Sequence, residues 1–277
     1  RMMRDGITVK QISPHVGAEI ENVDLTRTLT NHEVDQIHDA IIAHGVIFFR
    51  GQNITPEDHE RFIRYFGEPH VHVGGKNTAS QAVPGFPALN RQAFNKDSPR
   101  VSGERWHSDQ SCAAVQPMYS VLYQEVVPPH GGGDTMFLSA AKAYEELSPG
   151  IKRYLEGKTA THTASNAFDK KNTDPELVVT HPLVVRHPEN DRAVLFVNPN
   201  FTSHINDVPE DESRYMLEFL YQHMQRPHWT LRFHWTKHSI AMWDNRAVQH
   251  QAIWDYWPHE RVGYRMFVGG IERPKAA

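Results

Sequence analysis

A chain of 277 residues with 39% hydrophobic and 22% charged residues has the material for a packed core, which excludes a disordered polymer. A net charge of −4 with no long basic run gives no support to a nucleic-acid or membrane-surface partner, and no apolar stretch reaches membrane-spanning length. The only cysteine, Cys112, excludes an internal disulfide and a cysteine-built zinc or iron–sulfur site, while 19 histidines point any metal chemistry toward imidazole and carboxylate ligands.

In chain order, Gly6–Ile12 and Ala18–Leu25 read as strands. Thr30 and Glu33 form a capping-box pattern ahead of Val34, Ile37 and Ile41, which share one helical face. Gly45–Arg50 (GVIFFR) reads as a short buried strand, and Thr55-Pro56 opens a second helix expected to end at Gly67. Residues 74–103 then turn to Gly, Ser, Asn and Pro with few periodic apolar positions. A stretch of that length without regular structure is expected to be a functional loop such as an active-site lid; a disordered surface insertion is the competing reading. From Trp106 onward the pattern is short strands: Tyr119–Val127, Leu183–Arg186, Ala193–Asn198, Thr230–Thr236, Ile240–Trp243 and Tyr264–Gly269. Helices interrupt at Ala140–Leu147, Ile151–Glu156 and Pro209–Met224. With no internal repeat and no shift of composition, residues 1–277 are expected to form one domain, mainly β with flanking helices, in a jelly roll. The opening Arg1-Met2-Met3 is not that of a secretory signal, and the cysteine usage suits the cytoplasm.

His107-Ser108-Asp109 sets two ligand-type side chains two residues apart, which on a strand point to one face. Alone this pattern is weak, and a surface strand with two polar residues explains it equally well. A distal cluster strengthens it: Trp243-Asp244-Asn245-Arg246 leads into His250, and Arg261 follows. Two histidines and one carboxylate leave open metal positions, the arrangement used by iron(II) oxygenases. Arg261, Gly263 and Arg265 alternate along a strand, so both arginines face one way, and burying them would require anionic partners. The same triad also suits an open zinc site in a hydrolase, or a non-catalytic β-barrel that kept a metal.

The sequence resembles the taurine dioxygenase and phenoxyacetate-herbicide dioxygenase family of Fe(II)/2-oxoglutarate-dependent enzymes. The resemblance runs through Gly17-Ala18-Glu19-Ile20, Val23-Asp24-Leu25, Phe49-Arg50-Gly51-Gln52, Phe66-Gly67-Glu68, Trp106-His107-Ser108-Asp109, Gly132-Gly133-Asp134-Thr135, His181-Pro182-Leu183-Val184 and Trp243-Asp244-Asn245-Arg246. It implies a double-stranded β-helix of the clavaminate synthase-like type. It implies His107, Asp109 and His250 as iron ligands, and Thr135 and Arg261 as the site for the distal carboxylate of 2-oxoglutarate. His181 and His187 match structural positions rather than ligands. The implied reaction consumes O2 and 2-oxoglutarate, releases succinate and CO2 and hydroxylates a small organic anion in a homo-oligomeric enzyme, a dimer or tetramer. Asp109 favours hydroxylation, since related halogenases carry a small residue there.

The substrate is the least legible part. Arg265 and His72 match an arginine–histidine clasp for a sulfonate, and Phe168 and Phe201 match apolar walls. This pairing is expected to form a cationic site for a sulfonate, a sulfate or a carboxylate. The chain departs from the taurine pattern at Gly75, Gly103 and Ala167, each of which removes a polar group, although Asn77 or Gln81 could compensate. The expectation is therefore poor turnover of taurine and better turnover of a larger, partly apolar anion such as an alkyl sulfate or an aryloxyalkanoate.

Overall fold

A computed structural model describes residues 6–73, 80–99, 101–165 and 177–277. Two β-sheets face each other. The larger has nine strands, ordered Thr8–Gln11, Ala18–Glu21, Val46–Phe49, Ser239–Asp244, Tyr119–Val126, Arg261–Val268, Phe86–Phe94 and Ser80–Val83, with Pro69–His70 also pairing with Arg261–Val268. The smaller runs Thr230–Phe233, Thr135–Ser139, Val248–Ala252. Phe48, Leu122 and Trp243 of the large sheet meet Phe137, Phe233 and Val248 of the small one. Phe48 stacks on Phe233 at 3.8 Å, and Phe137 meets Trp243 edge-on at 5.6 Å. This is the expected jelly roll.

Val46–Phe49 is apolar at every position because both of its faces are covered. Val46 and Phe48 face the small sheet, while Ile47 and Phe49 pack with Ile37, Ile41, Phe62 and Ile63 of the two N-terminal helices. Both helices, Asn31–His44 and Pro56–Arg64, open with complete capping boxes, Thr30 with Glu33 and Thr55 with Asp58. The second ends before the expected Gly67, since Tyr65 and Phe66 donate to Phe62 and Ile63 in a tightened last turn. A further cluster joins the helices Ala140–Glu145, Pro149–Leu155 and Glu210–Met224 through Ala143, Leu155, Leu195 and Leu220.

Two expectations need correction. The stretch 74–103 is not one structureless loop: residues 80–83 and 86–94 are strands, and Phe86–Phe94 extends the large sheet by pairing with Arg261–Arg265. That strand buries Ala88, Leu89, Gln92 and Phe94; Pro87 and the polar Asn90 and Arg91 hide its period in the sequence. Likewise, His107-Ser108-Asp109 is not a strand. His107 forms a single bridge with His250, and Asp109 already lies in the following turn, where Gln110 takes a positive φ of 56°.

Candidate active site

The bridge places the two histidines. His107 N donates to His250 O (3.0 Å) and His250 N to His107 O (2.8 Å), a hydrogen-bonded antiparallel pair whose side chains emerge on one side. Their ring centroids are 4.2 Å apart. Asp109, two residues on, keeps to that side: its Oδ1 lies 3.3 Å from His107 Nε2 and 3.6 Å from His250 Nε2. All three residues are buried, and their ligand atoms lie within 4.8 Å of one another, so they could hold a metal ion. His107 Nδ1 is 2.7 Å from Arg105 O and donates to it, which turns the Nε2 lone pair toward the cluster. His250 is wedged between the Trp243 and Phe137 rings, at 4.6 and 6.1 Å. Burial and then His107 push the His250 imidazole down to about 3, which keeps it neutral. Burial alone would raise the Asp109 carboxyl, but His250, the His107 contact and Arg265 hold it below the usual carboxylate range. Neutral imidazole and ionised carboxylate are the forms that bind a cation.

Asp109 is held from behind by Ser120, which the sequence pattern does not single out, and by Asn245 of the Trp243-Asp244-Asn245-Arg246 motif. Ser120 Oγ donates to Asp109 Oδ2 (2.6 Å), Asp109 N donates to Asn245 Oδ1 (3.0 Å), and Asn245 Nδ2 donates to Ser120 Oγ (2.9 Å). This clamp occupies Oδ2 and leaves Oδ1 facing the histidines. It also gives the Trp243-Asp244-Asn245-Arg246 motif its physical content. Asn245 orients the carboxylate, while buried Asp244 accepts from His187 Nε2 (2.8 Å) and from Arg246 N and Nε (both 2.9 Å). His187 is thereby structural. So is His181, whose Nε2 lies 2.8 Å from Ser111 O.

The His107, Asp109 and His250 cluster opens into a cavity of about 750 Å³ that is also lined by Thr135, Arg261, Arg265, His72 and Phe201. Phe168, the remaining expected wall, lies outside the described residues, as do Gly75, Asn77 and Ala167. Thr135 Oγ1 accepts from Trp235 Nε1 (2.9 Å), which leaves its O–H to donate elsewhere. Gly132 and Gly133 have φ of +98° and +71°; a Cβ on Gly133 would come within 3.1 Å of Arg261 Cδ and Nε. With its amide turned so that both ends are satisfied, Gln124 donates to Val262 O (3.1 Å) and accepts from Arg261 Nη1 and Nη2 (3.2 and 3.0 Å). Gln124 fills the place of a side chain between the two arginines: a Cβ on Gly263 would lie 2.5 Å from its side-chain amide.

Arg261 is 8% exposed and Arg265 is partly buried, both guanidinium groups point inward, and burial pushes both below the usual arginine range. Among the described residues, neither has a carboxylate within ion-pair distance; Arg265 instead sits 4.8 Å from the Phe267 ring centroid. Burial, then the neighbouring Arg265, push His72 down to about 3, so it stands beside the guanidinium as a neutral imidazole.

The fold and this constellation define a class, the metal- and 2-oxoglutarate-dependent dioxygenases, and comparison with known proteins narrows it. Residues 8–267 match the model of the taurine catabolism dioxygenase TauD, TfdA family, to which the chain belongs. The alpha-ketoglutarate-dependent sulfate ester dioxygenase of Pseudomonas putida is 30% identical over 95% of this chain and 90% of its own. Among solved structures, a taurine dioxygenase from Burkholderia xenovorans superposes with a TM-score of 0.85 at 38% identity, covering 98% of this chain and 92% of that one. AAD-2 in complex with Mn(II) and N-oxalylglycine superposes with a TM-score of 0.88 at 25% identity, covering 98% of this chain and all of that one. The protein is a 2-oxoglutarate-dependent dioxygenase.

Proposed function

We propose that the enzyme uses iron(II), 2-oxoglutarate and O2 to hydroxylate a small organic anion, with succinate and CO2 as co-products and C–S or C–O cleavage where the hydroxylated carbon carries the heteroatom. The observation that carries this reading is the pair of inward guanidinium groups, Arg261 and Arg265, with no carboxylate of the described residues at ion-pair distance, beside a two-histidine, one-carboxylate cluster. Buried charges of one sign call for anionic ligands. A zinc hydrolase would use the same triad but would leave both arginines unexplained.

His107, Asp109 and His250 would hold the metal, and bound iron would supply oxygen activation. The chain's own groups do the rest. Arg261, steadied by Gln124 and Trp235, takes the distal carboxylate of 2-oxoglutarate in a charge-assisted contact, and the Thr135 O–H donates to the same group. N-oxalylglycine has the two carboxylates and the oxo group of 2-oxoglutarate with N–H in place of a methylene, so its complex with a structural relative supports a 2-oxoglutarate site in this fold. Arg265 anchors the substrate anion, with His72 as a neutral partner and Phe201 as a wall. Among the described residues of the expected lid, 95–99 and 101–103 lie outside the sheet and border the cavity. We read residues 1–277 as one catalytic domain.

The substrate is a larger anion than taurine: a sulfonate, sulfate or aryloxy or alkyl carboxylate with an apolar body. Gly103, at φ +79°, bears no polar side chain where the cavity meets His107. The solved relative named a taurine dioxygenase weighs the other way, which makes competition the proper test. Taurine, hexyl sulfate and an aryloxyacetate would be offered together with iron(II), ascorbate and 2-oxoglutarate. The reading expects succinate release to follow the larger anions; efficient taurine turnover would overturn the specificity.

A further inference from the structure

The strand Phe86–Phe94 lies beside Arg261–Val268 with Phe94 opposite Arg261, Gln92 opposite Gly263 and Asn90 opposite Arg265. Residues directly opposite each other share a face, so Gln92 points the same way as the two arginines. It lines the cavity with them. Gln92 is 8% exposed, and its side-chain amide, which lines the cavity, makes no hydrogen bond to a described residue. Its counterpart on the other side of Gly263 is different: Gln124 is committed to Arg261 and Val262. Gly263 itself puts no side chain between the strands.

We propose that Gln92 is a specificity-determining residue whose amide N–H donates to the anionic head group held by Arg265. This rests on the reading of Arg265 as the substrate anchor. A guanidinium fork matches the two oxygens of a planar carboxylate. A sulfonate or sulfate head is tetrahedral and presents a third oxygen, which requires a donor outside the plane of the fork. Gln92 stands one rung from Arg265 along the sheet and supplies that donor. The rung of Arg261 carries Phe94 at this edge, an apolar ring with no donor, and Gln124 already serves Arg261. Gln92 is therefore assigned to the substrate and not to 2-oxoglutarate. Its effect is to favour tetrahedral oxyanions over carboxylates of equal chain length.

The test uses full-length protein loaded with Mn(II) and N-oxalylglycine, which cannot turn over, titrated calorimetrically with 1-hexanesulfonate and with heptanoate. Gln92→Leu is expected to weaken hexanesulfonate about tenfold and heptanoate by no more than about twofold, the loss of one hydrogen bond to a charged group. Gln92→Glu, of nearly the same shape, is expected to weaken both anions by more than about tenfold through like-charge repulsion. Unchanged N-oxalylglycine affinity in both variants would show that the site is intact. The proposal is overturned if Gln92→Leu binds hexanesulfonate like the wild type or loses both anions equally. It is also overturned if the variant weakens N-oxalylglycine instead, which would assign the amide to the co-substrate. Arg265→Ala separates the two readings. If it loses hexanesulfonate while Gln92→Leu does not, only the role of Gln92 falls. If Arg265→Ala binds as tightly as the wild type, or the wild type binds neither anion, the anchor reading falls with it.

Discussion

The two ends of the cavity are built on opposite principles. At the metal end the ligand-bearing side chains are already held by the protein: His107 by the Arg105 carbonyl, Asp109 by Ser120 and Asn245, His250 by the rings of Trp243 and Phe137. At the anion end the cations are positioned but not neutralised. Gln124 steadies Arg261 and the Phe267 ring lies against Arg265, yet no described carboxylate reaches either at ion-pair distance. The first end is organised before its ion arrives; the second is completed by its ligands. Substitutions at the metal end should therefore act on metal affinity, and those at the anion end on co-substrate or substrate affinity with the metal retained.

The sharpest break in that comparison comes from the ligands themselves. His107→Ala, Asp109→Ala and His250→Ala should each weaken iron(II) or Mn(II) binding by more than about a hundredfold, above the usual range for losing a residue behind a ligand. His181→Ala should leave the metal affinity unchanged in the same titration, because its Nε2 is engaged with backbone carbonyls. Loss of metal in His181→Ala with retention in His250→Ala would reverse the assignment. Next in size, Arg261→Ala should raise the 2-oxoglutarate concentration needed for half-maximal turnover by about a hundredfold while metal binding holds. A variant with unchanged 2-oxoglutarate dependence would remove Arg261 from the site. Smaller again, Ser120→Ala should cost about tenfold in metal affinity, since Asp109 Oδ2 loses its donor but the three ligands remain. Equal affinity in that variant would reduce the clamp to a packing detail.

A last prediction concerns the fold around the site. His59 is buried with its Nε2 3.2 Å from Val121 O, and burial pushes its imidazole down to about 4 from 6.5. The unfolded chain takes up that proton first. The contribution of His59 is thus fully present above about pH 6.5 and declines as the pH falls through 4. Denaturant midpoints measured across this window should fall on the acid side, and His59→Gln should flatten the slope without altering affinity for Mn(II) or N-oxalylglycine. An unchanged slope would mean that other groups set the acid limit.

Much of this was legible from residue order, and the failures have physical causes. GVIFFR announced a strand covered on both faces, and Thr30 with Glu33 announced a helix start; both stand in the structure. Val248–Ala252, which carries His250, gave no strand signal because its middle residues are Gln249, His250 and Gln251. Gln249 is buried but donates to Val197 O (2.6 Å), so a tertiary hydrogen bond replaces apolar alternation. Phe86–Phe94 was hidden in the same way, its buried positions including the cavity-facing Gln92. Trp243-Asp244-Asn245-Arg246 was visible as a motif, but the role of Asn245 depends on Ser120 and Asp109, 125 and 136 residues away, a distance no local pattern spans. The environment of His72 is hidden for another reason: burial beside Arg265 pushes its imidazole down, and residue order does not report burial.

The most direct test of the account is the stoichiometry of 2-oxoglutarate consumption by the iron(II)-loaded enzyme with hexyl sulfate, with succinate and substrate loss measured together with and without O2. The account predicts succinate formed in step with substrate loss, dependent on O2 and on 2-oxoglutarate, abolished in Asp109→Ala and strongly reduced in Arg265→Ala. Substrate loss that continues without 2-oxoglutarate or O2 and is supported by zinc would contradict it and establish a hydrolase on the same three ligands.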